Sequence, residues 1–81
     1  MASVAMGKIF GTEVTFNPDT IKPEESTVRF YEEGKKYENE AILNIRGEVL
    51  KNDGFSPDEI HSWKAYVSNH RAAFMKIIRE A

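Results

Sequence analysis

The chain has 81 residues, a net charge of −2, 41 % hydrophobic and 30 % charged side chains, and no cysteine. This length and composition fit one small folded domain and exclude a disordered chain, while the lack of cysteine excludes disulfides, thiolate catalysis and cysteine-held metal sites. No apolar run approaches the ~20 residues that span a bilayer. We therefore expect a cytoplasmic protein with no membrane attachment.

The first half of the chain alternates apolar and polar side chains between turn-forming residues, which is typical of antiparallel strands. Residues 1–7 are small or flexible, so they are predicted to be a loose leader before a single domain of residues 8–81. The most apolar strand is predicted at the centre of the sheet, and Arg46 and Gly47 are predicted to form a two-residue hairpin turn after it. The predicted strands are 8–10, 13–16, 26–31, 40–46 and 48–51.

The second half changes to helical periodicity. Ser56, Pro57 and Glu59 form a helix-start signature with an N-cap serine, a proline in the first turn and a capping-box glutamate. Ser68 and Asn69 are poor residues for a helix interior, so a kink or a second helix start is expected there. An apolar stripe with three-four spacing follows the start signature: Ile60, Trp63, Val67, His70, Phe74, Ile77 and Ala81, flanked by Tyr66, Ala73 and Ile78.

These elements predict an α+β fold. A small, mostly antiparallel sheet of four or five strands is covered on one face by a C-terminal helix of residues ~57–80, kinked or split near Asn69.

No pattern of residues indicates catalysis. His61 and His70 are nine residues apart on a helix, so they point in different directions and cannot share a metal ion. His70 lies within the apolar stripe and is predicted to be structural, with one ring nitrogen bonded to a backbone carbonyl. The carboxylates occupy turns and connectors, and no serine lies in a nucleophile or phosphate-loop motif. We expect a protein that is not an enzyme, with no catalytic, cofactor-binding or metal-binding residues.

Charge is unevenly distributed along the chain. Residues 1–59 carry seven basic and twelve acidic side chains, net −5, whereas residues 60–81 carry four basic and one acidic, net +3. On a helical wheel a basic face lies beside the apolar stripe, with Met75 exposed among its cations. This face has three interpretations: a solvated helix surface, a docking face for an acidic protein partner, or a contact for nucleic-acid phosphates. The candidate interaction surface comprises Lys64, Arg71, Met75, Arg79, Tyr31 and Tyr66.

Residues 40–81 resemble a family of short bacterial proteins known only as a domain of unknown function. The resemblance is carried by the segment 40–50, by Pro57, and by Tyr66 placed before the pair His70 and Arg71. The family's usual Pro-Pro-His-Phe-His segment is missing, because the corresponding stretch 23–31 contains no histidine. The resemblance implies a strand-strand-helix ending and a small bacterial accessory or regulatory protein.

The function expected from the sequence is a non-enzymatic protein-interaction or accessory module. Its partner would be another protein or a second copy of the chain, and no small-molecule substrate is identified. The alternative is nucleic-acid binding through the basic face of the C-terminal helix, which the net negative charge disfavours.

Overall fold

The computed structural model describes residues 3–34 and 38–80, which form one antiparallel sheet and two helices. The sheet is an up-and-down meander in which each strand pairs with the next along the chain. None of the helices in these ranges is long and apolar enough to cross a membrane. The strands are β1 (Val4–Ile9), β2 (Thr12–Asn17), β3 (Thr27–Glu33), β4 (Glu38–Asn44) and β5 (Val49–Asp53); a 3-10 turn (Pro23–Glu25) precedes β3, and α1 (Pro57–Asn69) and α2 (Arg71–Glu80) follow the sheet.

The core lies between one face of the sheet and both helices. Strand alternation places the apolar side chains of β2, β3 and β4 on this face, and each helix stacks an aromatic ring on it. Trp63 of α1 lies 4.7 Å from Phe30, and Phe74 of α2 lies 4.5 Å from Phe16, between ring centroids. The predicted α+β class is confirmed. The buried apolar residues are Val14, Phe16, Val28, Phe30, Ala41, Leu43, Ile45, Phe55, Trp63, Val67, Phe74 and Ile78.

The first strand begins earlier than the sequence analysis expects. Residues 4–7, assigned there to the loose leader, lie in β1 and pair with β2. Val4 and Met6 pack against the core, so this segment buries enough apolar surface to be held as strand. The pairing with β2 shifts by one residue between Ala5 and Gly7, where Gly7 has φ of 111°, and this bulge lets Ile9 pack against the core as well. Residues 1 and 2 of the predicted leader lie outside the described residues.

Two expectations about the end of the sheet were wrong. The central strand is β3, because the meander order leaves β4 second from the edge. The turn after β4 also spans four residues, 45–48, rather than two. Asn44 explains the wider turn. Its side-chain oxygen accepts hydrogen bonds at 3.0 Å from the backbone N–H groups of both Arg46 and Glu48, and these bonds hold the four-residue turn closed.

The helical half matches its sequence signals. Ser56 caps α1, and its hydroxyl and the Glu59 carboxylate form both bonds of the capping box. The helix ends at Asn69, and His70 leaves the helical geometry with φ of −107° and ψ of 9° before α2 begins. The predicted break near Asn69 is therefore confirmed. Ala81, the last residue of the predicted stripe, and residues 35–37, between the predicted strands 26–31 and 40–46, lie outside the described part of the chain.

Candidate functional site

The turn between β1 and β2 carries an unusual side chain. Phe10 and Gly11 are its two central residues, with φ of 49° and 82°, which is the pattern of a type I′ hairpin turn. This turn favours Asn, Asp or Gly at both positions, because the Cβ atom of most other residues is crowded against the backbone where φ is positive. Phe10 is the only residue other than glycine with positive φ among residues 3–34 and 38–80, and its side chain is 99 % exposed. A large apolar ring is thus held in solvent on a strained backbone.

An open groove of about 430 Å³ lies between this turn and one face of α1. The helix supplies residues spaced three or four apart, so they share one side of α1 and form a continuous wall. The hairpin tip forms the opposite rim, and β3 contributes one carboxylate. The lining residues are Ile9, Phe10, Thr12, Glu32, Glu59, Ser62, Trp63, Ala65, Tyr66, Asn69 and His70.

Aromatic packing fixes the helical wall of the groove. Trp63 is sandwiched by stacking on Phe30 and by an edge contact with Phe55, at 5.5 Å between centroids. Its indole N–H is buried and has no hydrogen-bond partner in the described part of the chain. Tyr66 stacks on the ring of His70 at 4.0 Å, and burial raises the pKa of the Tyr66 hydroxyl above its usual value. The wall is therefore rigid and aromatic, with one unused donor in it.

His70 holds the end of this wall. Its Nδ1 lies 2.9 Å from the carbonyl oxygen of Tyr66, one turn earlier. Since the carbonyl can only accept, Nδ1 carries the proton and donates it, which leaves Nε2 as the acceptor in the neutral ring. The predicted structural bond from His70 to a backbone carbonyl is confirmed.

The polar groups of the groove include two carboxylates, Glu32 and Glu59. The hydroxyl of the buried Thr12 donates to Glu32 Oε2 at 3.2 Å, which fixes that carboxylate beside the hairpin. One oxygen of Glu59 accepts from the backbone N–H of Ser56 at 3.0 Å, as part of the helix cap. No lysine or arginine is among the lining residues within the described ranges. The groove therefore combines apolar walls with carboxylates.

The predicted basic residues are exposed and lie off the groove. Lys64, Arg71 and Arg79 are solvent-exposed, and none of them forms an ion pair with a carboxylate in residues 3–34 and 38–80. Arg71 has a structural contact as well, since its Nε donates to the carbonyl oxygen of Ile45 at 3.1 Å. Met75 was expected to be exposed but is partly buried against the core, because the chain leaves helical geometry at His70 and α2 therefore does not continue the helical wheel of α1.

The two predicted tyrosines lie on opposite sides of the sheet. Tyr66 contacts Phe30 from the helical side, at 5.8 Å between centroids. Tyr31 follows Phe30 in β3 and therefore points to the uncovered face, where the Arg29 guanidinium lies 4.5 Å from its ring centroid. Partial burial first, and a hydrogen bond with Glu38 second, raise the pKa of the Tyr31 hydroxyl. The candidate interaction residues thus do not form one continuous surface.

Of the residues that line the groove, the sequence analysis singled out only Tyr66 as a candidate interaction residue, and it missed Phe10 and Glu32, on which the chemistry of the groove depends. Phe10 was assigned to the end of a strand, and Glu32 to a solvated turn. The sequence holds a partial signal for Phe10, because Gly11 marks a hairpin turn between two predicted strands. Only the pairing of Ile9 with Thr12 in the structure shows that the turn has two residues, which requires positive φ at Phe10. No local signal places Glu32 beside α1, since that proximity depends on packing of the helix on the sheet.

Within residues 3–34 and 38–80, no three histidine, aspartate or glutamate side chains cluster closely enough to hold a metal ion. Comparisons of this chain with protein-family models, curated proteins and solved structures found no match.

Proposed function

We propose that this protein is a non-enzymatic protein-interaction module that binds a segment of a partner protein in the groove between the Phe10 turn and α1. The observation that carries the proposal is Phe10 itself, fully exposed and held at positive φ. Strained backbone positions persist where the surrounding structure enforces them, and they cluster at functional sites.

The energetics of Phe10 favour a role outside folding. Positive φ at a residue other than glycine costs on the order of 1 to 3 kcal/mol, and the exposed ring recovers none of this by burial. Covering the ring with a partner would contribute roughly 1.5 to 3 kcal/mol. Exposed aromatic rings are also enriched at the centres of protein interfaces. Phe10 would therefore contribute more to the stability of a complex than to the stability of the free chain.

The groove supplies the second half of the interface. Its volume lies within the range of about 300 to 1,000 Å³ that is typical of binding sites, and its helical wall is preformed by stacked rings. A preformed wall lowers the ordering entropy that binding costs. A partner segment could therefore place apolar side chains against Trp63 and Tyr66 while contacting Phe10.

Selection of peptides from a random display library on the immobilised full chain tests the proposal. Selected peptides are expected to lose binding to Phe10→Asn, which suits the turn, and to Ala65→Glu, which places a charge on the groove wall. Ile21→Ser is the matched control, because Ile21 is 88 % exposed and lies outside the groove. Peptides that bind both groove variants with the same affinity as the wild type would overturn the proposal.

Nucleic-acid binding through α1 and α2 is a second candidate function. The observation that favours it is that Lys64 and Arg79 are exposed and have no carboxylate partner among the described residues. Its test is the salt dependence of binding to a DNA or RNA duplex, which falls steeply with salt when several phosphates are contacted. Binding that Lys64→Glu and Arg79→Glu abolish would support this candidate, and an absence of binding at low salt would exclude it.

A further inference from the structure

We infer that the groove recognises a cationic side chain carried next to an apolar or aromatic group, with Glu32 as the residue that reads the positive charge. This inference rests on the proposed function, because it names the chemistry of the segment that the groove binds.

The local charge of the groove favours a cationic ligand. Helical residues 60–81 carry a net charge of +3, yet the groove wall formed by α1 contains none of the helical cations. The wall uses the side of α1 that includes Trp63 and Tyr66, whereas Lys64 lies outside the lining set. Glu32 and Glu59 are the charged groups of the groove within the described ranges. A cationic group would therefore be attracted into the groove, and an anionic group would be repelled from it.

The two carboxylates of the groove have different surroundings. Glu59 belongs to the helix start: its Oε1 accepts from the Ser56 N–H, and its charge lies in the first turn of α1, where the helix dipole already compensates it. Glu32 accepts one bond on Oε2, from Thr12, and no side chain or backbone group in residues 3–34 and 38–80 donates to its Oε1. The Thr12 bond fixes the direction of the carboxylate, and the second oxygen is left to accept from an ammonium or guanidinium group.

The groove that contains Glu32 also has aromatic walls. Phe10, Trp63 and Tyr66 all line the same groove. The exposed ring of Phe10 can attract a cation through its face, and the uncovered parts of Trp63 and Tyr66 can pack against the methylene stem or ring that carries the charge. The free energy of binding of a neutral apolar ligand would come from the walls alone. A cationic ligand would be stabilised both by the walls and by Glu32. The arrangement therefore favours an amphipathic cation over a neutral or acidic group of the same shape.

Three small probes that share a phenylethyl group and differ in the charge at its end separate these contributions. Phenethylamine is cationic, 2-phenylethanol is neutral and 3-phenylpropionate is anionic. Trp63 is the only tryptophan of the chain and lines the groove, so its fluorescence reports binding of each probe to the full chain. We expect phenethylamine to bind more tightly than 2-phenylethanol by roughly tenfold, the size of one charge-assisted hydrogen bond, and 3-phenylpropionate to bind weakest.

Glu32→Gln keeps the acceptor for Thr12 and removes the charge. This variant is expected to bind phenethylamine and 2-phenylethanol equally. Glu33→Gln is the matched control, because Glu33 is the next residue of β3, is exposed and lies on the opposite face of the sheet. The control should keep the full preference for the amine.

A measurement on the wild type does not depend on how any variant folds. Added salt should reduce the advantage of phenethylamine over 2-phenylethanol, because it screens the carboxylate. Equal binding of the two probes, a preference that survives in Glu32→Gln, or no saturable signal from phenethylamine in the millimolar range would each overturn the inference. The peptide selection decides the proposed function separately: peptides that require Phe10 but show no preference for lysine or arginine would retain the interaction module and reject its cationic ligand.

Discussion

At the scale of single residues, Trp63 belongs both to the core and to the candidate site. Its ring packs between Phe30 and Phe55 and is 95 % buried, while the same residue lines the groove. Most of its contacts are with the core. Removal of the Trp63 side chain is therefore expected to affect core packing first.

Trp63→Ala is expected to lower the free energy of unfolding by about 3 to 5 kcal/mol, the usual effect of truncating a buried aromatic side chain. A domain of this size has a net stability of only about 3 to 5 kcal/mol, so the variant should be largely unfolded. Thermal unfolding followed by circular dichroism measures this, with the exposed neighbour Ser62→Ala as the control. A melting temperature lowered by less than about 5 °C would show that Trp63 is not a core residue.

At the scale of elements, the two helices are separate units that contact different parts of the sheet. The three-four periodicity of the sequence runs through His70 without a break, yet the chain leaves helical geometry there. Phe74 anchors α2 to β2 through Phe16, and Arg71 binds the turn after β4 through the carbonyl of Ile45. The sequence places Arg71 on an exposed basic face, which it occupies, but gives no sign of this long-range bond.

Arg71→Ala should lower the free energy of unfolding by about 1 kcal/mol, because the carbonyl of Ile45 loses a donor from the side chain. Arg79→Ala, at the exposed end of the same helix, should change it by less than about 0.5 kcal/mol. Urea unfolding measures both variants. Equal effects of the two substitutions would mean that the Arg71 bond does not stabilise the packing of α2.

The uncovered face of the sheet is held by an ion-pair network across three strands. Glu40 of β4 accepts from Arg29 of β3 and from Lys51 of β5, the latter at 2.7 Å, and Lys51 also lies 3.4 Å from Asp53. These bonds, first the one from Lys51, hold the pKa of the Glu40 carboxyl below its usual value of 4.5. The bonds to Glu40 and Asp53 raise the pKa of the Lys51 ammonium.

The lowered pKa of Glu40 predicts an acid-sensitive contribution to stability. A carboxyl with a lower pKa in the folded state stabilises the fold above pH 4.5, its value in the unfolded chain, and this stabilisation disappears as the pH falls through the folded pKa. Glu40→Gln should therefore be less stable than the wild type near neutral pH, with the difference vanishing in acid. Urea unfolding across this pH range measures it, and Glu24→Gln, on the exposed 3-10 turn, is the control. A stability difference that is independent of pH would contradict the network's role.

At the scale of the whole molecule, the sequence predicted the architecture well and the site poorly. Ser56 and Glu59 fixed the start of α1, and the alternation around Phe30 identified its strand, because these signals are local. The length of β1 was underestimated because Val4 and Met6 gain their burial from partners far along the chain. The groove could not be predicted at all, since it requires β1, β3 and α1 to meet.

The charge pattern of the sequence also fails to predict which charges packing brings together. The sequence correctly separates an acidic half from a basic half, and it places Lys64 and Arg79 on the exposed surface. It suggests a basic binding face on the helices, whereas the groove that lies against α1 is acidic. Glu32 produces this difference, because β3 brings its carboxylate from the acidic half of the sequence to the helical side of the sheet.

The central claim is that Phe10 is retained for recognition at the expense of stability, and the unfolding free energy of Phe10→Asn tests it most directly. Asparagine tolerates positive φ and forms, with Gly11, the favoured type I′ pair, so the variant should be more stable than the wild type by about 1 kcal/mol in urea unfolding. The control Ile21→Asn removes another exposed apolar side chain from unstrained backbone, and should change stability by less than about 0.5 kcal/mol. If Phe10→Asn is equally stable or less stable, Phe10 contributes to folding, and the claim is contradicted.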